Sequence, residues 1–185
     1  MKTVFIFHGT SSSPDENWFP WLKKELEELG CKVIVPKFPT PEGESLDAWF
    51  GVINKYKSQF DKDSIIVGHS KGALFSIRVL ESLRKQIHAA FLVGAPIGIK
   101  PIKYYDADLK FSKGFDFDWG KIFNNSKHFF VYHSDNDPYV SLGNGKELAK
   151  KLGVELSFRS GCGHFNAESG FFKFSKLLED IKSVL

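Results

Sequence analysis

The stretch SIIVGHSKGALFSI, residues 64–77, joins an apolar run to a polar turn and then to a second apolar pattern. The run ends at Gly68, Ser70 follows, and apolar residues then recur at helical spacing. The pattern G-x-S-x-G between a strand and a helix is a nucleophile elbow, in which a sharp turn exposes a serine hydroxyl. Glycine at positions 68 and 72 leaves room for the turn and for close packing of the helix on the strand. The stretch therefore predicts that Ser70 is a nucleophile.

The rest of the chain repeats this alternation of strand and helix. Most of the apolar runs are continuous, as in strands that are covered on both faces. Apolar residues at helical spacing separate these runs. The alternation predicts an α/β fold with a mostly parallel six-stranded sheet and helices on both faces. The predicted strands are residues 3–7, 32–35, 64–68, 89–94, 128–133 and 154–159.

Length, charge and cysteine content narrow the class of protein. The 185 residues predict one domain, 1–185, with a buried core. The net charge of +3 is too small to indicate a nucleic-acid partner. No apolar run has the length of a membrane helix, and no secretory signal is present. Two cysteines are too few for a disulfide framework. These features favour a cytoplasmic protein with no membrane span.

A serine hydroxyl needs a base and an acid to become nucleophilic. In elbow-type hydrolases the acid and then a histidine follow the serine along the chain. Asp135 and Asp137 follow the fifth predicted strand, and His164 follows the sixth on a glycine-rich turn. The carboxyl ends of parallel strands meet at one edge of a sheet, so these side chains are expected beside Ser70. The pattern predicts a triad of Ser70, His164 and one of the two aspartates.

The first strand ends in His8 and Gly9 at the same predicted edge. The backbone N–H of Thr10 and that of Lys71, the residue after the nucleophile, are then placed to stabilise an oxyanion. His8 and His69 are expected to shape the loops by local hydrogen bonds. The side chain of Lys71 is expected to be solvated or, alternatively, to favour anionic substrates.

Residues 96–127 form a segment too long for a plain connection, and long loops are often functional. One short helix is expected in it, near residues 118–124. Two interpretations of its aromatic residues stay open. In one, the segment is a surface flap that packs on the core. In the other, it is a partial lid over a modest acyl pocket, which is lined by Tyr104, Tyr105 or Phe111.

Short motifs along the whole chain carry a resemblance to a known family. They are HG after the first strand, ENWFPWLKKEL, GHSKG, FDWGKI, SDNDPYV and GHFN. The chain resembles the α/β-hydrolase superfamily and, within it, the small serine hydrolases of the retinoblastoma-binding protein nine type. The resemblance implies a compact hydrolase without a large cap. It also implies a triad of Ser70, Asp137 and His164, because the acid of that family lies in a D-P-x-V context.

The sequence departs from that family at several points. Lys71 stands where a small or apolar residue is common, and Cys162 stands where glycine is expected. The retinoblastoma-pocket motif L-x-C-x-E is not met, because Leu29, Gly30 and Cys31 are followed by no acid at the required position. An inherited protein-binding role is therefore not indicated.

The sequence as a whole predicts a serine hydrolase that cleaves small carboxylic esters through an acyl-enzyme. No cofactor and no metal is expected, because His133, Asp135 and Asp137 lack a further spaced pair of ligands. Two alternatives stay open. One is cleavage of amides, peptides or thioesters by the same triad. The other is a protein-binding module on a hydrolase scaffold, since a fold does not dictate a function.

Overall fold

The computed structural model describes residues 1–185 and contains one six-stranded sheet in which all neighbouring strands are parallel. The predicted α/β fold is confirmed. The order is β2-β1-β3-β4-β5-β6. The strands are β1 (Thr3–Phe7), β2 (Lys32–Ile34), β3 (Ser64–His69), β4 (Ile87–Val93), β5 (Ser126–His133) and β6 (Leu156–Phe158). β4 and β5 begin earlier than predicted, and β6 is shorter than predicted.

Seven α-helices connect and cover the strands. None is long and apolar enough to span a membrane. Turns of 3-10 helix extend α2 over Asn54–Gln59 and form Ala167–Ser169. The helices are α1 (Phe19–Glu28), α2 (Leu46–Ile53), α3 (Lys71–Ser82), α4 (Tyr105–Phe111), α5 (Trp119–Asn124), α6 (Leu142–Lys151) and α7 (Ser175–Lys182).

Segment 96–127 contains two helices, so the expectation of one is wrong. α5 lies where the sequence predicted it, and the Asp118 carboxylate caps it by accepting from the N–H of Lys121 at 2.9 Å. α4 was missed because its inward face carries a polar residue. Asp108 is buried there together with Phe111. A carboxylate on the buried face interrupts the helical spacing of apolar residues from which a helix is predicted.

The core has two halves, one on each face of the sheet. Along β1, Phe5 and Phe7 face one half, while Val4 and Ile6 face the other. The first half packs against α2, α3, α4, α5 and α6, and the second against α1 and α7. Each fully buried aliphatic or Phe side chain contributes about 1.5–3 kcal/mol. Because both faces are covered, the strands read as continuous apolar runs.

Segment 96–127 is tied to the body of the protein near its start and at its middle. On the β4 side, the Asn144 side chain of α6 accepts from the N–H of Ile99 at 3.0 Å and donates to its carbonyl at 2.7 Å. On the other side, the Arg78 guanidinium of α3 donates to the carbonyl of Ser112. The segment is therefore a wall held by side chains of two helices.

Candidate active site

Ser70 occupies the turn between β3 and α3 in a conformation that residues with side chains rarely adopt. Its φ is 57° and its ψ is −125°, and such geometry costs about 1–3 kcal/mol unless the surroundings hold it. The N–H of Ser70 donates to the carbonyl of Val93 at 2.8 Å, which anchors the turn on β4. The hydroxyl makes no capping hydrogen bond to α3. The strained turn therefore exposes the Ser70 hydroxyl, which does not cap the helix.

The glycines around Ser70 are required by close packing. A Cβ at Gly72 would overlap the carbonyl oxygens of Phe7 and His8, and one at Gly68 would overlap the Ser76 hydroxyl. The packing role that the motif predicted for these glycines is confirmed. Gly9 has the same constraint on the opposite side, since a Cβ there would lie 2.9 Å from the Ser70 Cβ. The loop after β1 thus passes directly against the elbow.

His164 and Asp137 form a buried hydrogen-bonded pair at the same edge. The distance from His164 Nδ1 to Asp137 Oδ2 is 2.7 Å. Asp137 Oδ1 also accepts from the N–H groups of Tyr139 and Val140, at 2.8 and 3.0 Å. Burial alone would raise the pKa of Asp137, but these hydrogen bonds hold the pKa below its ordinary value. An ionised carboxylate accepts only, so Nδ1 of His164 carries the proton and Nε2 is free to accept one.

The two candidate acids have different partners. Asp135 accepts from the Ser160 hydroxyl and from the N–H of Gly161, both at 2.8 Å. These bonds hold the turn after β6 and lower the pKa of Asp135. Only Asp137 contacts His164. No group of three or more His, Cys, Asp or Glu side chains is placed to hold a metal ion.

Two neighbours of this pair were missed by the sequence analysis. Gly94 has a φ of +59°, and a Cβ there would lie 3.3 Å from Cε1 of His164 and 3.6 Å from Oδ2 of Asp137. Its one signal in the sequence is its position as the last residue of a predicted strand. The Tyr139 ring stands edge-on to the His164 ring, with 4.9 Å between the centroids. The tyrosine gives no signal, because only the chain fold brings it there.

The histidines beside the elbow make the local hydrogen bonds that were expected of them. His69 Nε2 lies 2.7 Å from the carbonyl of His164. Burial, reinforced by the nearby His164, lowers the pKa of His69 to about 3, so it stays neutral and donates. His8 accepts from the N–H of Phe38 at 3.0 Å, and its Nδ1 contacts the Gly9 carbonyl at 2.9 Å. Both rings therefore shape the loops around Ser70.

The backbone N–H groups of Thr10 and Lys71 donate to no acceptor of the protein. Lys71 is the first residue of α3, where an unpaired N–H is normal. Thr10 follows Gly9, which is in contact with Ser70, and its buried hydroxyl oxygen also lacks a partner. Two unpaired donors thus flank the nucleophile from different elements. No hydrogen bond joins the Ser70 hydroxyl to His164, although such bonds often tighten only when substrate binds.

The three residues expected to line a pocket lie in different environments. Tyr104 is 54% exposed and stacks on Tyr139, with 6.2 Å between ring centroids. Tyr105 is half-buried against Phe115. Phe111 is 5% exposed and packs on the Trp49 ring at 5.0 Å. Of the three, only Tyr104 reaches toward His164, and it does so through Tyr139.

The expectation of a solvated Lys71 is wrong. Its side chain is 4% exposed, and its ammonium pairs with Glu44 and, at 3.2 Å, with Asp108. Both carboxylates come from elements remote in sequence, so no local pattern indicates them. With two carboxylates at hand, this ammonium is not a free partner for an anionic substrate.

Comparison with known proteins shows which proteins the chain is similar to. The hydrolase YdeN of Bacillus subtilis is 32% identical over 173 residues, which are 92% of this chain and 89% of YdeN. The serine hydrolase RBBP9 of Rattus norvegicus is 28% identical over 180 residues, or 96% of this chain and 91% of that protein. Both alignments include the elbow and the two loops that carry Asp137 and His164, because they span nearly the whole chain.

Solved structures agree with the sequence comparisons. The crystal structure of the B. subtilis ydeN product matches with a TM-score of 0.92 at 28% identity, covering 100% of this chain and 98% of that one. Est1E of Butyrivibrio proteoclasticus with ferulic acid bound has a TM-score of 0.71 at 16% identity, over 98% of this chain and 90% of Est1E, and so shares the fold. The family model described as serine hydrolase matches residues 4–183, and the chain therefore belongs to that family, as its resemblance to small serine hydrolases predicted.

Proposed function

We propose that this serine hydrolase cleaves small carboxylic esters through an acyl-enzyme on Ser70. The observation that carries the proposal is the buried Asp137–His164 pair at the edge where the strained Ser70 displays its hydroxyl. A structural role would satisfy that hydroxyl within the protein, whereas a nucleophile has to leave it available.

The proposed reaction begins with attack of the Ser70 oxygen on the acyl carbon. His164 Nε2 takes the hydroxyl proton, and Asp137 stabilises the imidazolium that forms. The N–H groups of Thr10 and Lys71 donate to the oxyanion, at about 2.7–4 kcal/mol for each donor by analogy with measured cases. The bond to the leaving alcohol then breaks, and His164 returns its proton to that alcohol. Water, activated by the same imidazole, releases the carboxylic acid and restores Ser70.

Small esters fit the surroundings of the site. The wall formed by segment 96–127 is held by side chains of α3 and α6, and its exposed Tyr104 stacks on Tyr139, which contacts His164. Such a wall supports an open, partly aromatic mouth rather than a deep tunnel. Amides and thioesters use the same triad, so the leaving group has to be decided by experiment.

The first experiment is covalent labelling by a fluorophosphonate probe at neutral pH, read by intact mass. We expect one probe on the natural protein and none on Ser70→Ala. Ser82→Ala is the matched control, because Ser82 is exposed at the far end of α3, and it should label fully. Matched p-nitrophenyl esters, thioesters and anilides then rank the leaving groups, with esters expected to have the highest kcat/KM.

Absence of labelling in a natural protein with a folded circular-dichroism spectrum would overturn the proposal. Equal turnover by Ser70→Ala would do the same. In that case, copurification of one stoichiometric partner would favour the protein-binding alternative.

A further inference from the structure

Lys71 is the only buried lysine of the chain, and it follows the proposed nucleophile directly. Its ammonium meets carboxylates from two other elements: Glu44 from the loop before α2, and Asp108 from α4 in segment 96–127. The side chains of Glu44 and Asp108 are 12% and 7% exposed. With all three groups ionised, this buried cluster carries a net charge of −1, which is unusual for an interior and calls for a role.

The hydrogen bonds of the cluster extend to a third loop around Ser70. Glu44 Oε2 accepts from the Thr40 hydroxyl at 2.6 Å. The same Thr40 oxygen accepts from the N–H of Ser11 at 2.9 Å. Ser11 follows Thr10, whose N–H is a proposed oxyanion donor. One ammonium thus connects the elbow with the loops after β1 and β2 and with α4.

Packing places the same lysine under the wall. The ammonium lies 5.2 Å from the centroid of the Phe111 ring, at the end of α4. Phe111 in turn packs on Trp49 of α2. α4 has no side-chain cap at its start, and it is a short helix, so it depends on such contacts for its position.

We propose that Lys71 is a positioning residue whose ammonium, held by Glu44 and Asp108, fixes α4 beside the elbow and thereby determines how well the site binds longer acyl groups. This inference rests on the proposed function and adds a determinant of substrate size to it. Loss of the ammonium would leave two carboxylates facing each other without a counter-charge. Their repulsion and their need for water would move α4 outward, because breaking a buried pair leaves a charge uncompensated.

The chain offers a matched control for this contact. Lys113 pairs with Asp47 at 3.3 Å and also ties segment 96–127 to α2, but both side chains are exposed. Exposed pairs contribute little, because water screens them. Lys71→Met and Lys113→Met therefore each remove one ammonium that holds the same segment, and they differ in burial.

The test compares these variants by steady-state kinetics on p-nitrophenyl acetate and hexanoate, and by hydrogen exchange of residues 103–115. For Lys71→Met we expect KM for the hexanoate to rise about tenfold or more, because a displaced α4 no longer contacts the longer acyl chain, and any loss of kcat to be smaller than this rise in KM. Backbone exchange in residues 103–115 should become faster. Lys113→Met should match the natural protein in both readouts, and Lys71→Arg should restore part of the KM.

Asp108→Asn keeps the experiment decisive if Lys71→Met does not fold. It removes the charge contributed by α4 and leaves the pair between Lys71 and Glu44, so we expect the same rise in KM and the same local exchange. Natural values of KM and exchange in Asp108→Asn would overturn the inference. Fluorophosphonate labelling of every variant separates the two proposals: unlabelled natural protein refutes the proposed function, while the exchange data still test the anchor.

Discussion

Asp137 and Asp108 are two buried carboxylates at one edge of the sheet, and their pKa values move in opposite directions. Asp137 lies 2.7 Å from a ring nitrogen of His164, and Asp108 lies 3.2 Å from the ammonium of Lys71. Burial raises the pKa of Asp108 above its ordinary value, although Lys71 opposes this. The pKa of Asp137 is lowered in spite of burial.

Backbone donors account for the difference. Asp137 accepts from two N–H groups of its own turn as well as from His164. Asp108 shares its one cation with Glu44, whose charge raises the pKa of Asp108 further. Hydrogen bonds to the charged form favour it, while burial and a like charge disfavour it. The N–H groups of its own turn therefore stabilise the ionised form of Asp137. The lysine that Asp108 shares with Glu44 instead holds two elements together.

The largest expected effect comes from removing the charge of Asp137 in the proposed triad. Asp137→Asn should lower kcat/KM for p-nitrophenyl acetate by about 10³–10⁴-fold, because an amide favours the wrong imidazole tautomer. Asp135→Asn is the control, and it should lose less than about tenfold, since Asp135 holds only a turn. Comparable losses in the two variants would contradict the assignment of the acid.

The next effect concerns the neutral ring of His69, which lies beside His164. His69 in the unfolded chain takes a proton below pH 6.5, whereas in the folded protein it stays neutral down to about pH 3. The unfolded state thus binds more protons in that window, and stability falls as pH falls from 6.5 toward 3. At pH 5 the loss from this group is about 2 kcal/mol.

Urea unfolding at pH 7 and pH 5 measures that loss. His69→Gln stays neutral and keeps a donor for the His164 carbonyl, so its stability should change less between the two pH values. Gln86→Ala is the control, because Gln86 is exposed, carries no titratable group and lies at the opposite edge of the sheet, and it should keep the natural pH dependence. An unchanged slope in His69→Gln would show that other groups cause it.

A smaller effect is expected from a substitution that displaces the Asp137–His164 pair and leaves both residues unchanged. Gly94→Ala adds a methyl group 3.3 Å from His164, and should lower kcat/KM by about 10- to 100-fold. Gly153→Ala is matched in backbone conformation, with a φ of +63°, but its nearest neighbour is 3.9 Å away. It should cost stability and leave kcat/KM unchanged, which separates backbone strain from crowding at the site.

The smallest effect separates the two carboxylates by pH. A raised folded pKa means that Asp108 binds a proton more readily in the folded state, so the stability of the natural protein relative to Asp108→Asn should shrink as pH rises above 3.8. Asp137 has the opposite sign: its contribution is present above 3.8 and is lost below that value. Denaturant unfolding between pH 4 and pH 7 should show the trend for Asp108→Asn and a constant difference for Asp137→Asn.

Much of the fold and of the site could be predicted from local pattern. The six strands, the elbow and the order of Ser70, the acids and His164 are visible because each depends on residues that are neighbours in sequence. α4 could not be predicted, since Asp108 interrupts its apolar face. The choice between Asp135 and Asp137 needed the family resemblance, because both residues follow β5. Their partners, Gly161 and His164, lie close together in the turn after β6, and only the folded chain shows which aspartate contacts which partner.

The sequence by itself determined the parallel sheet, the two glycines of the elbow and the serine between them, because apolar period and turn chemistry are local properties. Tertiary structure alone decided the partners of Lys71, the room that Gly94 leaves for His164 and the edge contact of Tyr139. These features join residues distant along the chain, and their energies depend on burial and on competing hydrogen bonds. From the sequence alone a lysine is expected to be solvated, and only the fold shows that Lys71 is buried beside two carboxylates.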